Sequence, residues 1–103
     1  MDKFGLSEHT IATVNNYFKT VKEIEKVEIF GSRAKGTFKT GSDIDFVIYG
    51  NDLTDKLIRR ISNELDELPT PYKFDILCFA SIDNEDLIKN IKKDGKLFYK
   101  NAS

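Results

Sequence analysis

Gly31-Ser32-Arg33-Ala34-Lys35-Gly36, continued by Gly41-Ser42-Asp43-Ile44-Asp45-Phe46-Val47-Ile48, is the stretch on which the reading of this chain turns. A small-residue turn, Gly31-Ser32, ends the apolar run Val27-Glu28-Ile29-Phe30, and a basic, glycine-interrupted loop follows. Two aspartates, one residue apart, then enter a second apolar run. Strand side chains alternate faces, so Asp43 and Asp45 point the same way, their α-carbons about 6.6 Å apart, two strand rises. Carboxylates this close repel, and each raises the other's pKa. Divalent cations are the simplest way to keep both ionised.

Further along, Asp75 interrupts a third apolar run, Tyr72-Lys73-Phe74-Asp75-Ile76-Leu77. Aspartate is depleted in strands, so Asp45 and Asp75 inside such runs stand out. A salt bridge to Lys73 or to an arginine is the plain explanation of Asp75. The alternative is a third carboxylate completing a cage for oxygen-loving cations, which suits magnesium with substrate phosphates. Before the first carboxylate, the turn at Gly31 lets backbone approach a ligand closely, and amides opening a helix there suit phosphate oxygens. Arg33 and Lys35 add cationic donors.

The rest of the chain reads as support. Ser7 caps a helix over 8–22, with Ile11, Val14, Phe18 and Val21 on one apolar face. His9 in its first turn reads as solvated. Strands are expected at 27–30, 44–49 and 72–79, with a short edge strand at 96–100. A short helical turn at 32–35 opens at Ser32. Thr54 caps a helix over 55–67 whose buried stripe is Leu57, Ile58, Ile61 and Leu65; Pro69 and Pro71 stop it. Asp83 or Asn84 caps the last helix, 85–94, which Gly95 closes. This order gives an α+β fold: a small mixed sheet of three to four strands with helices packed on one face and the aspartates on the other.

With 103 residues, the expectation is a single domain spanning 1–103. A net charge of −1 argues against a general nucleic-acid coat. Cys78 has no partner for an internal disulfide, and no run approaches a membrane span, so a cytoplasmic setting is expected.

Gly31-Ser32, ten intervening residues and Asp43-Ile44-Asp45 together resemble the nucleotidyltransferase signature of the DNA polymerase β superfamily. The stretch from Gly31 to Gly36 and on through Ser42 is most similar to the minimal nucleotidyltransferases of prokaryotes. That resemblance implies a nucleotidyltransferase-like fold and Mg²⁺-dependent transfer of a nucleoside monophosphate, AMP from ATP, to a hydroxyl. It implies that Asp43, Asp45 and Asp75 are catalytic and hold two Mg²⁺ ions, with Mn²⁺ as a substitute. Nucleotide contacts fall to Gly31, Ser32, Arg33, Lys35 and Ser42. It also implies a small all-helical partner of the HEPN type, toward which such proteins act as antitoxins. The competing expectation is a catalytically silent module that neutralises a helical partner by contact alone.

Overall fold

The computed structural model describes residues 4–37 and 43–101. Helix α1 (Glu8–Lys19) is followed by β1 (Lys26–Phe30), the short α2 (Ser32–Lys35), β2 (Ile44–Tyr49), α3 (Asp55–Asp66) and β3 (Phe74–Cys78). A single 3₁₀ turn (Phe79–Ser81), α4 (Glu85–Asp94) and β4 (Lys96–Lys100) complete the order. The caps are those the sequence marks. Ser7 and Thr54 accept from the amides of Thr10 and Leu57, and Asn84, rather than Asp83, accepts from Leu87. Helix α1 stops earlier than its apolar periodicity extends. The Thr20 hydroxyl donates back to the Tyr17 carbonyl at 2.6 Å, and Val21 and Ile24 are buried in the turns beyond.

The four strands lie in the order β3-β2-β1-β4. β1 runs antiparallel to both β2 and β4, while β2 and β3 are parallel, joined by the crossover helix α3. Alternation divides β2 cleanly. Ile44, Phe46 and Ile48 enter the main core with Val27 and Ile29 of β1. Helix α1 brings Val14 and Phe18 to this core, and α3 brings Leu57, Ile61 and Leu65. The Tyr17 hydroxyl donates to Glu64 at 2.7 Å, tying α1 to α3. Burial and that bond push the Tyr17 phenol well above its ordinary value.

Aromatic rings fill the centre. Phe46 lies against Phe18, Phe74 and Phe98, with ring centroids 5.5, 5.9 and 4.8 Å away. On the other sheet face, Tyr49 donates to Glu28 at 2.6 Å, and its ring stacks on Phe79. Gly95 follows α4 in extended backbone rather than in a left-handed cap. A Cβ there would clash with the Ile91 carbonyl and meet Glu28 at 3.4 Å, so the helix end is pressed onto this second face.

Phe46 is fully buried at the meeting point of three other rings. Truncating it to alanine should cost about 3–5 kcal/mol through lost burial and a residual cavity. Urea unfolding followed by circular dichroism measures this; a loss below about 1 kcal/mol would contradict the packing described.

Candidate active site

Strand pairing sets the site. Asp45 stands opposite Asp75 in the β2–β3 register, so both carboxylates leave the same face of the sheet. Asp43 lies just before β2 and is exposed. Burial raises the pKa of Asp45, and the negative charges of Asp75 and Asp43 raise it further. A hydrogen bond between Asp45 and Asp75 acts in the same direction, and the Arg33 cation opposes all three. Two carboxyl groups can share such a bond only while one of them carries a proton. The salt bridge from Asp75 to Lys73 that would explain a lone strand aspartate is absent among the described residues.

Gly31 is fixed by its neighbour. It closes β1 at φ 75° and ψ −151°, a region open essentially to glycine alone. A Cβ there would come within 2.6 Å of an Asp45 carboxylate oxygen. The turn and the carboxylate are therefore in direct contact, because Phe30 pairs with Asp45 and Gly31 follows at once. Helix α2 opens at Ser32, and the Lys35 amide donates to the Gly31 carbonyl at 3.1 Å.

The two cations of the loop part company. Lys35 is half exposed and lies 3.6 Å from Asp94 at the end of α4. Arg33, expected to contact the nucleotide, is 3% exposed, donates to the Phe4 carbonyl at 3.0 Å, and lies over the Tyr72 ring at 5.0 Å. Its guanidinium is occupied inside the fold, tying the N-terminal segment and the approach to β3 onto α2. Ser42 lies outside the described residues.

The donor set fits a hard divalent cation in its chemistry: carboxylate oxygens whose mutual repulsion a cation would relieve. Among the described residues, however, no group of three or more His, Cys, Asp or Glu side chains is already arranged to hold a metal ion. Beside Asp75 opens a hollow of about 450 Å³, lined by Asp43, Asp66, Tyr72, Lys73, Phe74 and Asp75. The sequence reading above assigns no role to Asp66 or Tyr72. The available signal was Asp66 itself, an acid in the last turn of a helix that has no base there.

Residues 12–103 match the family described as polymerase beta, nucleotidyltransferase. The chain belongs to that nucleotidyltransferase family. No curated protein matches it by sequence. Among solved structures, it is similar in fold to a toxin–antitoxin complex with AMP-PNP, at TM-score 0.71 and 20% identity, covering 94% of this chain and 76% of that one. A MntA–HepT toxin–antitoxin structure gives 0.61 and 16%, over 92% and 74%. A complex of tri-AMPylated HEPN toxin with MNT antitoxin from Shewanella oneidensis gives 0.56 and 18%, over 89% and 73%. Among the described residues, no helix of this nucleotidyltransferase is long and apolar enough to cross a membrane.

Two substitutions at touching residues should move stability in opposite directions. Asp45 titrates above its unfolded value, so its ionised form opposes folding, and that penalty is relieved as pH falls through the raised value. Asp45→Asn should therefore raise the metal-free melting temperature by a few degrees at neutral pH, with the gain shrinking at acid pH where wild-type Asp45 is already protonated. Gly31→Ala should cost about 1–3 kcal/mol from backbone strain, before its clash with Asp45 is counted. Thermal melts between acid and neutral pH check both; a lower melting temperature for Asp45→Asn throughout would contradict the repulsion.

Proposed function

We propose that this nucleotidyltransferase transfers AMP from ATP to a hydroxyl on a small helical partner of the HEPN type, in an antitoxin role. The observation that carries the reading is the contact of Gly31 with Asp45, which itself stands opposite Asp75. A strained glycine turn for phosphates and a pair of carboxylates for the reacting centre thereby share one spot. The fold likeness to toxin–antitoxin complexes, one with AMP-PNP and one with an AMPylated toxin, supports the nucleotide and the partner. A cytoplasmic setting accords with the free, buried Cys78.

The chain's own groups take the following roles. The Gly31-Ser32 turn offers backbone amides to the outer phosphates at the opening of α2, and Lys35 exchanges Asp94 for a phosphate oxygen. Asp43, Asp45 and Asp75 would hold Mg²⁺, or Mn²⁺ in its place, which when bound supplies positive charge against the triphosphate. Asp75, exposed at the mouth of the hollow, takes the proton of the acceptor hydroxyl. The acceptor oxygen forms its bond to the α-phosphorus as the bond to the bridging oxygen breaks, and pyrophosphate leaves. Arg33 serves as a positioning residue, holding α2 against the segment leading to β3.

The alternative reading is a silent module that binds its helical partner without chemistry. The two readings separate in one experiment. The chain is incubated with labelled ATP, Mg²⁺ and a small helical protein of the HEPN type, and the label is located by mass spectrometry. The expected outcome is AMP mass on the partner, reduced to background by Asp43→Ala. A tight complex with no added mass, unaffected by Asp43→Ala, would establish the silent module instead.

A further inference from the structure

Backbone strain marks the N-terminal segment. Among the described residues other than glycine, Phe4 and Asp52 alone hold a positive φ, at 59° and 61°. Aspartate tolerates that region because its short polar side chain bonds locally, whereas a bulky phenylalanine is held there by its surroundings. Gly5 follows at φ 72°. The next residue, Leu6, is fully buried in the main core, and Ser7 caps α1. The chain is thus anchored immediately after the turn.

Two contacts pull on Phe4. Its ring lies 6.3 Å from that of Phe98 in β4, and its carbonyl accepts from Arg33 at 3.0 Å. Ring and carbonyl serve different partners, and with Leu6 fixed the backbone meets both by taking positive φ at Phe4 and Gly5. Strain kept in this way points from the outlier to a role for what it holds.

What it holds is Arg33. A guanidinium is flat, with its donors fixed in one plane, so each contact orients it. The Phe4 carbonyl and the Tyr72 ring are contacts of this kind. Arg33 is also the second residue of α2, directly after Ser32. Four residues make barely one turn, too little for a helix to be fixed by its own hydrogen bonds. Its place depends on buried side chains, Ala34 in the core and Arg33 on the N-terminal turn.

Resting on the nucleotidyltransferase reading, we infer that the N-terminal turn is a strap: through Arg33, the backbone of Phe4 and Gly5 positions the Gly31-Ser32 turn for the triphosphate. Phe4 and Gly5 touch no reacting atom. They are positioning residues, and their effect falls on nucleotide affinity, because the amides they help to place are those that meet the phosphates.

The test compares Gly5→Pro, Gly5→Asn and Arg33→Met in the full chain. Proline locks φ near about −65° and abolishes the turn, whereas asparagine still enters the left-handed region. Calorimetry gives the Kd for AMP-PNP with Mg²⁺ below each melting temperature. Amide exchange in the nucleotide-free chain follows the Lys35 N–H, which donates to the Gly31 carbonyl and so reports on the phosphate turn directly. Gly5→Pro and Arg33→Met should each weaken AMP-PNP about tenfold and speed Lys35 exchange, with the double variant no worse than either. Gly5→Asn should match wild type in both. A Gly5→Pro variant that melts lower but keeps wild-type Kd and Lys35 exchange would reduce the strap to a structural contact, and equal losses in Gly5→Asn and Gly5→Pro would overturn it too. Should Gly5→Pro not fold, wild-type values in Arg33→Met overturn it alone. Failure of the wild-type chain to bind AMP-PNP would count against the nucleotidyltransferase reading, while Lys35 exchange would still decide the strap.

Discussion

The parallel register of β2 and β3 is the constraint on which the site depends. It sets Asp45 beside Asp75 on adjacent strands and turns both toward one face. A slip of one residue would send one carboxylate into the aromatic core, where an unpaired charge is very costly. Phe46 prevents the slip, because its ring occupies the pocket formed by Phe18, Phe74 and Phe98. The same alternation that buries Phe46 exposes Asp45. Core packing and the placement of the two carboxylates are one arrangement viewed from two sides of the sheet.

Around that pair the fold holds opposing demands in balance. Asp45 is partly desolvated and faces two like charges, so its ionised form works against folding. Gly31 adopts a backbone conformation closed to other residues so that it can approach Asp45. Arg33 partly compensates, its buried cation lowering the cost of the Asp45 charge while it binds Phe4 and stacks on Tyr72. The site therefore combines strain, repulsion and the internal counter-charge of Arg33. Local departures from stability gathered at one place are what function requires of an otherwise consistent sequence.

Much of this was legible in the sequence, for identifiable reasons. The apolar run 44–49 and the cap-to-glycine frame of 84–95 carry strong local signals, and both elements fall where those signals place them. The spacing of Gly31, Asp43 and Asp45 pointed to the family, because chemistry ties those residue types to one turn and one strand. What could not be read depends on tertiary partners. Arg33 next to Lys35 in a glycine-flanked loop looks like a second phosphate donor. Contacts distant in sequence, the Phe4 carbonyl and the Tyr72 ring among them, draw its side chain into the interior. Likewise the pairing of Asp75 directly opposite Asp45 depends on a register that no local pattern specifies, and the hollow beside it exists only because the end of α3 reaches the approach to β3.

The crossover through α3 bears on how the molecule assembles. β1 and β2 meet as antiparallel neighbours, but β3 can join β2 only after α3 has turned back across the sheet. Asp45 and Asp75 are thus strangers in the early chain and confront each other only when β3 docks on β2. The repulsion between them opposes that step and leaves the pairings of β1 with β2 and β4 untouched. It acts as a brake on the docking of this edge strand.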